Sequence, residues 1–285
     1  MYSSFAEKYL KNIDPVIAIK LKSFLVYPRF YRDLFKGRHS ESKFVFVAGL
    51  PKSGTTWLEN MISNHLNLTQ IMPYKITSYE LENKESIHYQ YDEKFFDYRE
   101  KGQYFTKLHT DGSDNNIKVL KDLSIKHVLM YRDMRDVAIS YVSYVRSTPW
   151  HPIHLEYRDL TLEHGLKKFA NENAKDWMNW ILEWEKNSDK NLTAVVRYED
   201  LLLEPSKILQ NILRFLDSDV DEKDIATLIN KYSFLNMKNQ TKSSFFNSGK
   251  SGKWKNKFDN DMKNLYKEKI GKELIELKYE EDLKW

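Results

Sequence analysis

Nine consecutive residues, Gly49-Leu50-Pro51-Lys52-Ser53-Gly54-Thr55-Thr56-Trp57, combine glycines, hydroxyls and one cation in an order that suits phosphate. Where a strand turns directly into a helix, backbone N–H groups point inward and the helix dipole adds roughly half a positive charge. Gly49 and Gly54 have the spacing of a nucleotide-triphosphate loop, but the lysine that should follow the second glycine is Thr55. The cation stands at Lys52 instead, inside the loop. No acidic residue stands out as the Walker-type magnesium ligand that such loops require. A second pair, Lys107 and His109, falls two residues apart at the end of an apolar run, which places both on one side of a strand. Imidazole has the unperturbed pKa to accept a hydroxyl's proton near neutral pH. Arg132, at the end of another apolar run, offers a guanidinium fork that can hold a phosphate's oxygens. Taken alone, an arginine at a strand end is more often a surface ion pair, here with Asp133 or Asp136.

These groups need strands and helices to bring them together. Short β-branched or aromatic runs predict buried strands over 44–48, 104–108, 127–131 and 193–197. Helical spacing follows over 55–66 and 134–145, and Pro205 stands where a first helical turn tolerates it, ahead of Ile208, Ile212, Leu213 and Leu216. Strands alternating with helices predict an α/β fold, a central parallel sheet flanked by helices on both faces. Trp177, Trp180, Ile181 and Trp184 share one helical face and read as a core stripe in preference to a cofactor-stacking surface. Without repeats or a low-complexity linker, the 285 residues are expected to form a single P-loop-like domain. Within it, 1–43 is a basic helical lead-in, 44–258 carries the motifs, and 259–285 forms a C-terminal helix and tail.

Composition removes other chemistries. The chain has no cysteine, which excludes disulfides, thiolate metal sites and a cysteine nucleophile. Its formal charge of +4 is too small to argue for nucleic acid. That charge is uneven: residues 1–43 carry 9 basic and 4 acidic side chains, residues 238–285 carry 12 and 8, and the middle is acidic. The longest apolar run, Phe44 to Leu50, falls far short of a membrane span, and Lys20 and Lys22 interrupt the N-terminal apolar stretch. The expectation is a cytoplasmic protein with neither nucleic acid nor membrane as partner, and the basic N-terminal end reads as a solvated face.

The string Pro51-Lys52-Ser53-Gly54-Thr55-Thr56-Trp57 resembles the 5′-phosphosulfate loop of the sulfotransferases that use 3′-phosphoadenosine-5′-phosphosulfate (PAPS), of the cytosolic type. Arg132 and Ser140 match the spacing with which that family holds the 3′-phosphate, and Lys107-Leu108-His109 resembles its catalytic Lys-x-His. Arg197-Tyr198-Glu199-Asp200 is similar to a turn whose tyrosine lies near adenine, and Tyr232-Ser233-Phe234 to an adenine-side segment, although Tyr232 replaces a smaller threonine. Phe246 to Asn256 looks like the family's glycine-rich loop before Trp254-Lys255, and the final Leu277 to Trp285 is also similar. The usual Arg-Lys-Gly that wraps the 3′-phosphate reads Asn247-Ser248-Gly249 here, so two cations are missing and Lys250 or Lys253 is the expected replacement. The family's dimer segment is not matched after Lys255, which leaves the oligomeric state open.

The resemblance implies an enzyme that transfers a sulfuryl group from PAPS to a hydroxyl or amine of a small-molecule acceptor by in-line displacement, without a metal, releasing 3′,5′-adenosine bisphosphate (PAP). It implies His109 as general base, Lys52 at the leaving phosphate and Lys107 at the transferring group. Lys52, Ser53, Gly54, Thr55, Thr56, Trp57, Arg132, Ser140, Tyr198, Phe234, Ser248 and Gly249 are implied as cofactor contacts, with Trp57 and Phe234 sandwiching the adenine. The acceptor pocket is expected between segments 72–86 and 146–157. Two rivals stand beside this reading: a P-loop kinase-like phosphotransferase, and a non-catalytic protein that binds adenosine bisphosphate.

Overall fold

Val45, Phe46, Val47 and Ala48 alternate between two faces of a strand, and all four are buried. That is the signature of a strand in the middle of a sheet covered on both sides. In the computed structural model this strand is β1 (Lys43–Gly49). The model describes residues 14–38, 41–218, 220–233, 236 and 250–285. Four more strands follow: β2 (Thr69–Gln70), β3 (Gln103–Leu108), β4 (His127–Tyr131) and β5 (Thr193–Arg197). They pair in the order β2-β3-β1-β4-β5, all parallel. The register sets Ala48 opposite Leu108 and Gly49 opposite Met130, so the ends of β3, β1 and β4 lie side by side. In an open parallel sheet that edge is where ligands bind.

Of the four strands foreseen from the sequence, β4 and β5 match their observed limits, β3 begins one residue earlier, and β1 extends one residue further at each end. The two-residue β2 was not foreseen, being too short for any periodicity to show. Gln70 on it donates to Ser63 Oγ at 2.8 Å, which fastens this edge to the helix beside it.

The helices divide between the two faces. From α1 (Pro15–Lys36) the chain passes through β1 to α2 (Thr55–His65), then α3 (Tyr74–Asn83), α4 (Asp114–Asp122) and α5 (Met134–Ser147). After α6 (His154–Tyr157) come α7 (Leu162–Glu172), α8 (Ala174–Asn187), α9 (Tyr198–Leu203), α10 (Pro205–Phe215), α11 (Glu222–Lys231), α12 (Trp254–Lys257) and α13 (Asn260–Glu276). Val45, Val47, Val128 and Met130 pack with Leu58 of α2 and Leu209 of α10 in one apolar cluster. Phe46, Ala48 and Leu129 pack on the other side with Val142 of α5, Phe169 of α7 and Trp180 of α8. Tyr266, Ile270 and Leu274 of α13 belong to this second cluster, so the C-terminal helix shares the core that carries the sheet. Pro205 opens α10 as expected, and Trp177, Trp180, Ile181 and Trp184 are all buried.

Candidate active site

The turn after β1 is drawn tight by its own backbone. Leu50 N–H donates to Met130 C=O at 2.9 Å, and Ser53 N–H returns to Leu50 C=O at 3.2 Å. Lys52 and Gly54, on either side of Ser53, are both left-handed, with φ of 66° and 85°. Only glycine fits the second position, because a Cβ on Gly54 would lie 2.6 Å from the Tyr198 ring. Gly54 leads into α2 without a side-chain cap. Beneath the turn, Ser53 Oγ is buried and has no hydrogen-bond partner among the described residues.

Three cations meet here. Burial pulls the Lys52 ammonium down to about 7, and the charges of Lys107 and Arg132 push in the same direction. Its Nζ lies 3.9 Å from the centre of the Tyr144 ring on α5. Lys107 reaches across from β3 to donate to Glu59 at 2.7 Å and to Thr56 Oγ1 at 3.1 Å, both on α2. Arg132 donates to Asp136 at 3.0 Å and to the Lys250 carbonyl at 2.8 Å, while its buried Nε has no partner among the described residues. The ion pair that the sequence offered at the surface as the plainer reading of Arg132 exists with Asp136, but it is buried, and among the described residues it leaves a guanidinium N–H to spare. Asp133 is taken instead by Arg135. A cluster of cations with unpaired buried donors fits a polyanionic ligand such as a nucleotide bearing two phosphates.

His109 follows β3 and is held on both sides, by a backbone carbonyl and by an indole. Its Nδ1 lies 2.5 Å from Gly49 C=O. A carbonyl can only accept, so Nδ1 carries the proton and Nε2 keeps its lone pair. Burial lowers the imidazole pKa to about 4, with the Lys107 charge adding to the effect and Gly49, Glu80 and Glu59 opposing it. The ring is therefore neutral through the physiological range and presents a basic Nε2. From the other side, Trp180 Nε1 donates to the carbonyls of His109 and Thr110, and Trp184 Nε1 to that of Thr110. The tryptophan stripe read as core is core, and it also fastens the segment that carries His109.

Asp136 ties a distant segment to Arg132. One carboxylate oxygen accepts Gly252 N–H at 2.7 Å, and the other accepts Trp254 N–H at 3.1 Å. Lys253 lies between these two anchors, half-buried, its pKa lowered by burial and then by Arg132. Lys250 is exposed. Tyr198 lies under Arg132, with the guanidinium carbon 4.1 Å from its ring centre, and beside Trp57 at 6.4 Å between centroids. Ser140, on the same helix as Asp136, is half-buried. Tyr232, the departure at the adenine-side segment, is buried in the apolar cluster that Trp57 packs against. Phe234, Ser248 and Gly249 lie outside the described residues.

The two segments expected to wall the acceptor pocket meet, since Lys84 pairs with Glu156 at 2.7 Å. Of the histidines there, His154 is buried with Nδ1 2.8 Å from Val145 C=O, which is a structural role. Glu59 and Tyr144 were missed from the sequence. Glu59 alone had a signal: it stands three residues after Thr56, on the helix face that opens from the glycine turn.

Comparison with known proteins gives four relevant likenesses. A family model described as the sulfotransferase domain matches residues 42–278. Sulfotransferase 1B1 of Canis lupus familiaris is 24% identical over 254 residues, covering 77% of this chain and 79% of its own length. A mouse sulfotransferase solved in complex with PAP superposes with a TM-score of 0.63 at 21% identity, over 88% of this chain and 90% of that one. Retinol dehydratase, solved with androsterone and the inactive cofactor PAP, gives a TM-score of 0.63 at 19% identity, over 85% of each chain. At these identities the two structures speak for a shared fold.

Proposed function

The chain belongs to the sulfotransferase domain family, and from that premise we propose that it transfers a sulfuryl group from PAPS to a small-molecule acceptor, as a cytoplasmic enzyme. The observation that carries this reading is the gathering of Lys52, Lys107 and Arg132 around one glycine turn, with Ser53 Oγ and Arg132 Nε left without partners among the described residues. The residues that would hold the donor's 5′-phosphosulfate are Lys52, Ser53, Gly54, Thr55 and Thr56; Arg132, Ser140 and Lys253 would hold the 3′-phosphate. Trp57 and Tyr198 would border the adenine. When bound, the donor supplies an activated sulfuryl group and a phosphate leaving group.

The remaining work falls to the chain's own side chains. His109 Nε2 takes the proton that the acceptor hydroxyl loses as its oxygen bonds to sulfur. The Nδ1–H bond to Gly49 keeps the ring oriented and stabilises the imidazolium that results. Lys52, poised at about 7 by burial, becomes fully protonated against phosphate charge. Lys107, held by Thr56 and Glu59, presents its charge beside His109 and Lys52. Kinase chemistry is disfavoured because Thr55 occupies the position of the nucleotide-triphosphate lysine.

The test is transfer from isotopically labelled PAPS, with ATP and magnesium in parallel, across a panel of phenols, alcohols, amines and sugars. Label appearing in any acceptor supports the reading. Label moving only from ATP supports the kinase-like alternative, and PAP binding without transfer to any acceptor supports the non-catalytic one.

A further inference from the structure

Helix α1 is apolar on two opposite faces. The inner face packs on the body of the protein: Val26 is buried, Phe30 meets Tyr74 and Tyr98 edge to face, and Asp33 is buried against Arg29 and Arg32. The outer face carries Ile17, Leu21, Phe24, Tyr31 and Phe35, which at ~100° per residue fall within about 40° of one line along the helix. Leu25 widens that stripe on one side. Phe24 is 84% exposed and Phe35 72%. Among the described residues eleven large apolar side chains are exposed, and seven of them belong to α1. Scattered exposure is ordinary, but concentration on one helix face marks an interaction surface.

The flanking charge selects the partner. Exposed Lys20 borders the stripe on one side, and exposed Arg32 and Lys36 border it on the other. The helix holds five cations and a single carboxylate, Asp33, which points inward. Aromatic and aliphatic side chains between rows of Lys and Arg form the pattern of a helix lying in the plane of an anionic bilayer, its rings among the acyl chains and its cations at the headgroups. No helix among the described residues is long and apolar enough to cross a membrane, so contact would run parallel to the surface. We propose that the outer face of α1 docks this protein peripherally on anionic lipid surfaces. The N-terminal charge excess, read from the sequence as a solvated face, would then serve lipid recognition, a reading that departs from the expectation that no membrane is a partner.

The experiment is flotation of the full-length chain with phosphatidylcholine vesicles, with and without phosphatidylserine, at low and high salt. Binding is expected with phosphatidylserine and should weaken as salt rises. The variant F24S/F35S should lose about tenfold or more in partitioning while keeping wild-type circular dichroism and melting temperature, since both rings are exposed. K36Q should weaken binding to the anionic vesicles alone. Absence of binding to either vesicle, or equal binding by F24S/F35S, overturns the proposal. A stable dimer in analytical ultracentrifugation that F24S/F35S dissociates, without vesicle binding, overturns it in favour of a second copy of this chain.

Discussion

Trp180 Nε1 lies 3.0 Å from the carbonyl of His109 and 2.9 Å from that of Thr110, so one indole N–H of α8 is shared by two consecutive peptides of the active-site segment. Trp184 adds a bond to Thr110 at 3.1 Å, and Gly112 lies so close to the helix that a Cβ there would stand 2.8 Å from the Trp184 backbone. The backbone bearing His109 is thus pinned from below while Gly49 orients its ring from above. Trp180→Phe keeps most of the packing and removes the donor. We expect about tenfold lower kcat, about 1 kcal/mol lower stability, and PAP affinity near wild type. Steady-state kinetics and calorimetry on the variant check the split.

His109→Ala should bind PAP as the parent does and lose turnover by about 10²- to 10⁴-fold. Because burial already holds the wild-type ring neutral above about 4, the rate profile should show no acid limb from this base between about pH 5 and 8. Turnover surviving within a few-fold would place the base elsewhere.

Lys52 makes a signature in binding. Its free-state pKa of about 7 must rise when phosphate arrives, so PAP binding should take up protons above neutrality, with affinity falling as pH increases past about 7. Titration calorimetry in buffers of different ionisation enthalpy measures that uptake directly. Lys52→Arg keeps the charge but stays protonated, and should abolish the pH dependence.

Lys253 and Lys250 are distinguishable. Lys253 lies between the two N–H groups fastened to Asp136, whereas Lys250 is exposed and contributes its carbonyl to Arg132. Lys253→Ala should weaken PAP by about 10- to 100-fold, the value of a charged hydrogen bond, and leave adenosine 5′-phosphosulfate, which lacks the 3′-phosphate, unaffected. Lys250→Ala should change little. Equal affinity in the double variant would show that neither lysine replaces the missing Arg-Lys pair.

Acid stability should report His127. It is buried, with Nδ1 2.9 Å from the Ile125 carbonyl and Nε2 3.0 Å from Thr193 Oγ1, an arrangement that satisfies both nitrogens of a neutral ring. Burial lowers its pKa to about 4 from an unfolded value of 6.5. Between those values the unfolded chain binds a proton that the native state refuses. Stability is then complete above pH 6.5 and falls as pH drops toward 4, by up to about 1.4 kcal/mol per unit. His127→Gln should be less stable at neutral pH yet show a shallower decline, read by denaturant melts across that range.

The sheet and the phosphate turn were legible because both are local. Phe44 to Ala48 announces a doubly buried strand, and the glycines and hydroxyls after it announce the turn. What eluded the sequence depends on chain segments far apart. Nothing in the spacing of Trp180 and Trp184 says that their indoles meet the carbonyls beside His109. Asp136 reads as an alternative partner that would neutralise Arg132, and only the fold shows it fastening 252 and 254 over the same arginine. The outer face of α1 was hidden by Lys20 and Lys22, which interrupt the apolar run in sequence; around the helix, Lys20 lies at the border of the stripe.

The central place of β1 bears on how the protein is made. Phe44 pairs with Tyr104 and Phe46 with His127, so β1 leaves the ribosome ahead of partners about sixty and eighty residues behind it. At roughly 5–20 residues per second that interval lasts several seconds. Throughout it the nascent chain displays an apolar segment with both hydrogen-bonding edges open, a substrate for chaperones that shield extended hydrophobic chain. Yield in a heterologous host should therefore depend on chaperone supply during synthesis more than on the stability of the finished fold.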